Sequence, residues 1–166
     1  QECRFEKKNW PRLLAATRDT LVSMRSRNDH PSLKQWEEQL ECARLLNSDI
    51  VADLKSLDIQ EKSGENGSDF VAQVVSLAED KKVKLCIETV SLSVLKQLAG
   101  RFDSISFCLD TGYVNLDPVF SFKQYVDDLA ERISHLHLSD NYGIQQDHQP
   151  PGLKEGISRE NWDYLL

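Results

Sequence analysis

The stretch from Val83 to Tyr113, VKLCIETVSLSVLKQLAGRFDSISFCLDTGY, decides the fold. Its opening, Val83 to Val90, reads as a strand in which Cys86 and Glu88 share one face and Leu85 and Ile87 the other, the period of two that a pleated chain imposes. Ser91 to Ala99 reads as a helix closed by Gly100 as its C-cap. Ile105 to Asp110 is a second strand, with Ser106, Cys108 and Asp110 on one face and Phe107 and Leu109 on the other. Strand, helix and strand in this order form a βαβ unit, whose two strands run parallel. In both strands the bulky apolar set would meet the helices, while the smaller or polar set ends in a carboxylate.

The same alternation extends in both directions. Downstream, Phe122 to Arg132 is helical and feeds a strand at Ile133, where Ile133, His135 and His137 fall on one face and Leu136 and Leu138 on the other. Ser139-Asp140-Asn141-Tyr142-Gly143 then breaks the chain into a polar loop. That loop carries His148, so three of the four histidines lie within fourteen residues. Glu160 to Leu166 reads as the first turns of another helix. Upstream, Asp49 to Leu54 is a short strand, Ser63 to Ser68 a flexible loop, and Ser68 or Asp69 caps a helix through Ala78. Ser32 caps a helix from Leu33 to Leu46, with Trp36, Leu40, Ala43 and Leu46 in its apolar stripe. Arg12 to Met24, after Pro11, has helical spacing, and Ser26 to Pro31 breaks it, which leaves His30 as an ordinary loop residue.

Two features select a barrel over a doubly wound open sheet. No strand is followed by GxGxxG or GxxxxGK[ST], so the usual nucleotide-binding signatures are absent. Three successive strands end in potential ligands, Glu88, Asp110 and His137, and a (β/α)₈ barrel gathers its active site at the C-terminal ends of its strands. The expected fold is therefore α/β, one partial (β/α)₈ TIM barrel over residues 1–166, with 1–31 as an N-terminal helical segment and 32–166 as βα units. A full barrel needs about 250 residues. Four recognisable strands and no initiator methionine point to a fragment that lacks the first strands and the last, and its open sheet edges favour self-association as a homo-oligomer.

Composition narrows the function. A formal charge of −7 argues against a general phosphate-binding surface, so no nucleic-acid partner is expected. No apolar run approaches the roughly 20 residues of a membrane span, and the start has no signal-like apolar region, so the expected location is cytoplasmic. Cys3, Cys42, Cys86 and Cys108 lack CxxC spacing and read as buried thiols. His135, one step deeper than His137, reads as a hydrogen-bonded core residue.

Taken together, Leu85-Cys86-Ile87-Glu88, Cys108 to Tyr113, His135 to Gly143, and His148-Gln149-Pro150-Pro151-Gly152 with Glu155-Gly156-Ile157 resemble the xylose isomerase-like TIM-barrel superfamily. This group contains sugar isomerases and epimerases and the apurinic endonucleases. The resemblance covers roughly Leu33 to Leu166. It implies that Glu88, Asp110 and His137 are divalent-metal ligands, joined by a Glu beyond Leu166, with Glu88 also the catalytic acid/base. Tyr113, His148 and Glu155 would contact a sugar or sugar phosphate. Oxygen-rich ligation with one imidazole suits Mn²⁺, Mg²⁺ or Co²⁺, with Zn²⁺ as a further candidate. Three departures stand out. Tyr113 replaces a His that the endonucleases place on zinc, Gln146 stands where they have Asp, and Leu153-Lys154 lengthens a usually tight turn before Glu155. The first two weaken an apurinic endonuclease-like phosphodiesterase, which remains the alternative together with an inactive barrel fragment.

Overall fold

The computed structural model describes residues 23–25, 31–53, 57, 68–146, 148–152 and 155–165. Five strands, β1 (Ser23–Arg25), β2 (Asp49–Ala52), β3 (Leu85–Glu88), β4 (Ser106–Asp110) and β5 (Ile133–His137), form one sheet. Every neighbouring pair is parallel and the strands lie in sequence order. Sequential order without a reversal is barrel topology, since a doubly wound sheet turns back on itself at a switch point. The fold is α/β and a partial TIM barrel.

The helices are α1 (Leu33–Leu46), α2 (Ser68–Lys81), α3 (Leu92–Arg101), α4 (Thr111–Asn115), α5 (Phe122–Leu129) and α6 (Arg159–Leu165), with a 3₁₀ turn at Ala130–Arg132. Local sequence sets several of their ends. Ser32 and Gln35 form a reciprocal capping box at the start of α1, and Asn47 ends that helix in the left-handed region. Ser121 and Gln124 repeat the box at the start of α5. Each box satisfies backbone donors that a helix start would otherwise leave unpaired.

The sheet divides the core by parity. Ile50, Ala52, Leu85, Ile87, Phe107 and Leu109 pack on the helix side with Trp36, Leu40, Val74, Leu92 and Leu95. Val51, Cys86 and Cys108 form a small separate cluster on the other face. A large apolar side chain fully buried in this way contributes about 1.5–3 kcal/mol. The helix side therefore drives folding, and the opposite face is left to polar groups.

Several sequence expectations need correction. Met24 lies in β1 and not at the end of a helix, since pairing with Asp49 to Val51 of β2 overrides local helical spacing. The rest of the Arg12 segment, His30, Leu54, Ser63 to Gly67 and Leu153-Lys154 fall outside the described residues. Gly100 does not end α3, which runs on to Arg101 and is capped by Phe102, where the chain turns to pack that ring against the core. A short helix, α4, follows Asp110, where the sequence reading sets no element. Where β5 pairs with β4 the register slips between Phe107 and Cys108, so that Ile133 pairs with Phe107 and His135 with Cys108. Ser134 is the extra residue of a β-bulge. Ile133 consequently packs on the helix-side core, away from the two histidines.

Candidate metal centre

Glu88, Asp110 and His137 end adjacent strands, and pairing of Glu88 with Cys108 and of Asp110 with His137 brings the three to one rim. One ligand atom from each lies within 4.8 Å of the others. The rim borders a cavity of about 280 Å³ lined by Glu88, Thr89, Asp110, Tyr113, Gln146 and His148.

Each ligand candidate is held by its neighbours. His137 Nδ1 is 2.9 Å from Glu88 Oε1, which fixes both side chains. Asp110 caps α4, where its Oδ1 accepts from the Tyr113 N–H at 3.1 Å. The same oxygen accepts from Ser139 Oγ at 3.1 Å and from Gln146 Nε2 at 3.2 Å. All three bonds fall on Oδ1, which leaves Oδ2 with no partner among the described residues. Such a carboxylate is anchored through one oxygen and able to ligate through the other.

The scaffold beneath them is hydrogen-bonded throughout. The Thr89 hydroxyl donates to Cys108 C=O at 2.9 Å and accepts from the Asp110 N–H at 2.7 Å, which joins the ends of β3 and β4. Thr111 Oγ1 donates to Ser139 C=O at 2.6 Å and accepts from the Ser139 N–H at 3.0 Å, which joins α4 to the end of β5. Gly112 lies so close to this joint that a Cβ there would collide with Ser139 Oγ and stand 3.0 Å from the Gln146 amide. Asp140, fully buried, accepts from the backbone N–H groups of Asn141, Gly152 and Ile157 and closes the loop that carries Gln146 and His148.

Of the residues singled out by sequence, the structure brings Glu88, Asp110, Tyr113 and His148 to one cavity, and sets His137 against Glu88 and Asp110 at its edge. His148 is exposed and adopts a left-handed conformation with φ of 47°. Glu155 lies in an exposed turn and does not line the cavity. Thr89 and Ser139 were missed, and Gln146 was noted only as standing where the endonucleases have Asp, not as a partner of Asp110. Thr89 was signalled only by directly following the strand-end Glu88, and Ser139 bears no signal beyond membership of the polar loop.

The donor set fits a hard divalent cation. Two carboxylates and one imidazole offer the oxygen-rich ligation that Mn²⁺, Mg²⁺ or Co²⁺ prefer. Glu88 and Asp110 are only 12% and 8% exposed, the first by its side chain, so their mutual repulsion is poorly screened. A divalent cation among them would offset it.

No protein-family model and no curated protein matches this chain. Among solved structures it is similar to a xylose isomerase domain protein from Planctomyces limnophilus, with a TM-score of 0.69 and 11% sequence identity. The match covers 92% of this chain and 66% of that one. At that identity the likeness shows the fold alone, the partial TIM barrel already described. Among the described residues no helix is long and apolar enough to cross a membrane.

Proposed function

We propose that the chain belongs to a divalent-metal-dependent isomerase or epimerase acting on a sugar or sugar phosphate. The observation that carries this reading is the convergence of Glu88, Asp110 and His137 at the C-terminal ends of three adjacent parallel strands beside a cavity. Those three residues would hold the metal, with Mn²⁺, Mg²⁺ or Co²⁺ preferred. The metal, when bound, supplies Lewis acidity toward a substrate carbonyl and hydroxyl pair. Glu88 is the proton-transfer residue, because its carboxylate lines the cavity where a substrate would sit. His137 fixes the Glu88 carboxylate through the 2.9 Å bond to Oε1. Asp110 is held by Ser139 and Gln146 and does not move protons. Tyr113 and His148 line the cavity and offer hydrogen bonds to substrate hydroxyl groups. The net charge of −7 supports a small-molecule substrate over nucleic acid.

The test is metal content by plasma mass spectrometry on purified protein, wild type beside a double variant, Asp110→Asn with His137→Ala. Near-stoichiometric Mn or Co that disappears in the variant is expected, followed by deuterium wash-in from D₂O at a ketose carbon next to the carbonyl. If no metal is bound and none is taken up at millimolar Mn²⁺, the enzyme reading is withdrawn for this chain. Salt-sensitive cleavage of abasic duplex DNA would replace it with the phosphodiesterase.

A further inference from the structure

We propose a second metal site, formed by Asp49, Cys86 and His135, that takes a borderline-soft divalent cation such as Zn²⁺ or Co²⁺. The three residues lie on the non-helix face of the sheet, and their ligand atoms are within 4.8 Å of one another. Cys86 precedes Glu88 by two residues, and His135 precedes His137 by two. The second site therefore sits about 6.6 Å further down the strands, distinct from the Glu88 centre.

The chemistry of the donor set separates the two sites. A thiol, an imidazole and a carboxylate are a zinc-type set, whereas the upper set contains no sulphur. Cys86 Sγ is 3.3 Å from His135 Nδ1. Tetrahedral bonds of about 2.3 Å to sulphur and 2.0 Å to nitrogen place neighbouring ligands roughly 3.5 Å apart, so these two atoms already stand near ligand spacing. Asp49 Oδ2 approaches the other nitrogen of the same ring, Nε2, at 3.7 Å; since an imidazole gives an ion only one of its nitrogens, the three-residue site rests on one ligand atom from each of Asp49, Cys86 and His135 lying within 4.8 Å of the others.

Two hydroxyl groups and one imidazole nitrogen surround the sulphur. Ser134 Oγ donates to Ser106 Oγ at 2.8 Å, which leaves the Ser106 proton for Cys86 Sγ at 3.0 Å. Ser134 Oγ itself is 3.2 Å from the same sulphur. A neutral thiol is a weak acceptor and has little use for a directed hydroxyl chain, while metal-bound thiolates are commonly oriented by such donors. Burial of a bare thiolate is unfavourable, and Cys86 is fully buried. A cation shared with His135 and Asp49 removes that penalty. The bulge is part of the device, because it turns Ser134 and His135 to the same side of β5. His135 and Asp49 keep 23% and 32% side-chain exposure, so water can reach a fourth coordination position. His135 is thus a ligand and not the core residue its sequence position suggests.

The test is cobalt titration of the full chain, read by the sulphur-to-cobalt charge-transfer absorption in the near ultraviolet, to which the sulphur-free Glu88 site contributes nothing. Both wild type and the Asp110→Asn, His137→Ala double variant should develop the band; the double variant should saturate at one added equivalent, and wild type should reach the same band height while taking up as much as a second equivalent at the Glu88 site. Cys86→Ser should abolish it, and Asp49→Asn should weaken binding at least about tenfold. A folded wild type that shows no band, or a band that survives in Cys86→Ser, overturns the proposal whatever the Mn²⁺ result at the upper site. A measurement on wild type alone guards against a misfolded variant: Zn²⁺ should slow iodoacetamide alkylation of Cys86, mapped by peptide mass spectrometry, at least about tenfold. An unchanged alkylation rate refutes the site.

Discussion

Replacing Asp140 with alanine removes the group that closes the loop over the candidate centre, and its effect can be worked from the contacts. Oδ1 accepts from the Asn141 N–H at 2.8 Å and the Ile157 N–H at 2.7 Å, and Oδ2 accepts from the Gly152 N–H at 3.1 Å. Hydrogen bonds to a charged acceptor contribute about 1.5–3 kcal/mol each, but they are not additive, and the exposed Gly152 can turn to water. The buried donors at Asn141 and Ile157 cannot do so without opening the loop. The expected loss is about 3–4 kcal/mol, or a fall in Tm of about 6–16 °C for a chain of this size. Urea unfolding followed by far-ultraviolet circular dichroism measures it, with an unchanged m-value showing that the same surface is exposed. Asp140→Asn is the control. It keeps Oδ1 for two donors and sets an amide N–H₂ against the Gly152 N–H, so it should lose about half as much. A loss below about 1 kcal/mol for alanine, or equal losses for both variants, would refute the clamp.

Gly112→Ala should displace Ser139 and Gln146 from Asp110, because the new methyl occupies their place; it is expected to weaken Mn²⁺ binding about tenfold by isothermal calorimetry. Tyr125 is fully buried, with its hydroxyl bonded to Asp117 Oδ2 at 2.5 Å and Val90 C=O at 2.9 Å. Burial, then the bond and charge of Asp117, push its ionisation far up. The stability this confers is full below about pH 10, the ordinary tyrosine value, and is lost as pH rises beyond it, so wild type should lose its advantage over Tyr125→Phe in alkaline melts. Desolvation works against ionisation of Asp117, but bonds from Tyr125 and from the Val119 and Phe120 N–H groups outweigh it and hold the carboxyl below its usual range. The contribution of Asp117 is present above about pH 4 and lost as pH falls below, and Asp117→Asn should flatten that acid limb. Lys96→Ala breaks an exposed pair with Asp128 and should change stability by less than about 0.5 kcal/mol in the same melts.

The legibility of this fold follows from where its determinants lie. Leu85, Ile87, Phe107 and Leu109 announce their faces because alternation is a local property, and the sheet confirms it. The strand-end carboxylates were legible for the same reason. Ser134 was invisible, because a bulge is decided by β4 across the ladder and leaves no mark in the β5 sequence. β1 was hidden likewise, since Met24 has helical spacing and becomes a strand only against β2. No element is read from sequence directly after β4, yet Asp110 caps a helix there, because its side chain can reach the Tyr113 N–H. Thr89, Ser139 and Gln146 serve the site through contacts between distant segments, and no spacing rule encodes those.

The bulge also gives β5 an unequal tolerance to shortening. Ile133 already faces the helices opposite Phe107, and His135 already faces inward opposite Cys108. Excising Ser134 alone would therefore leave a regular strand with both imidazoles still facing inward, and would sacrifice the hydroxyl contacts to Cys86, Ser106 and His135 Nδ1. Excising Leu136 would exchange inside for outside beyond the cut. A single deletion scan along β5 should find one silent position in a strand of five, as if the chain held a spare link at the one place where its rhythm is broken.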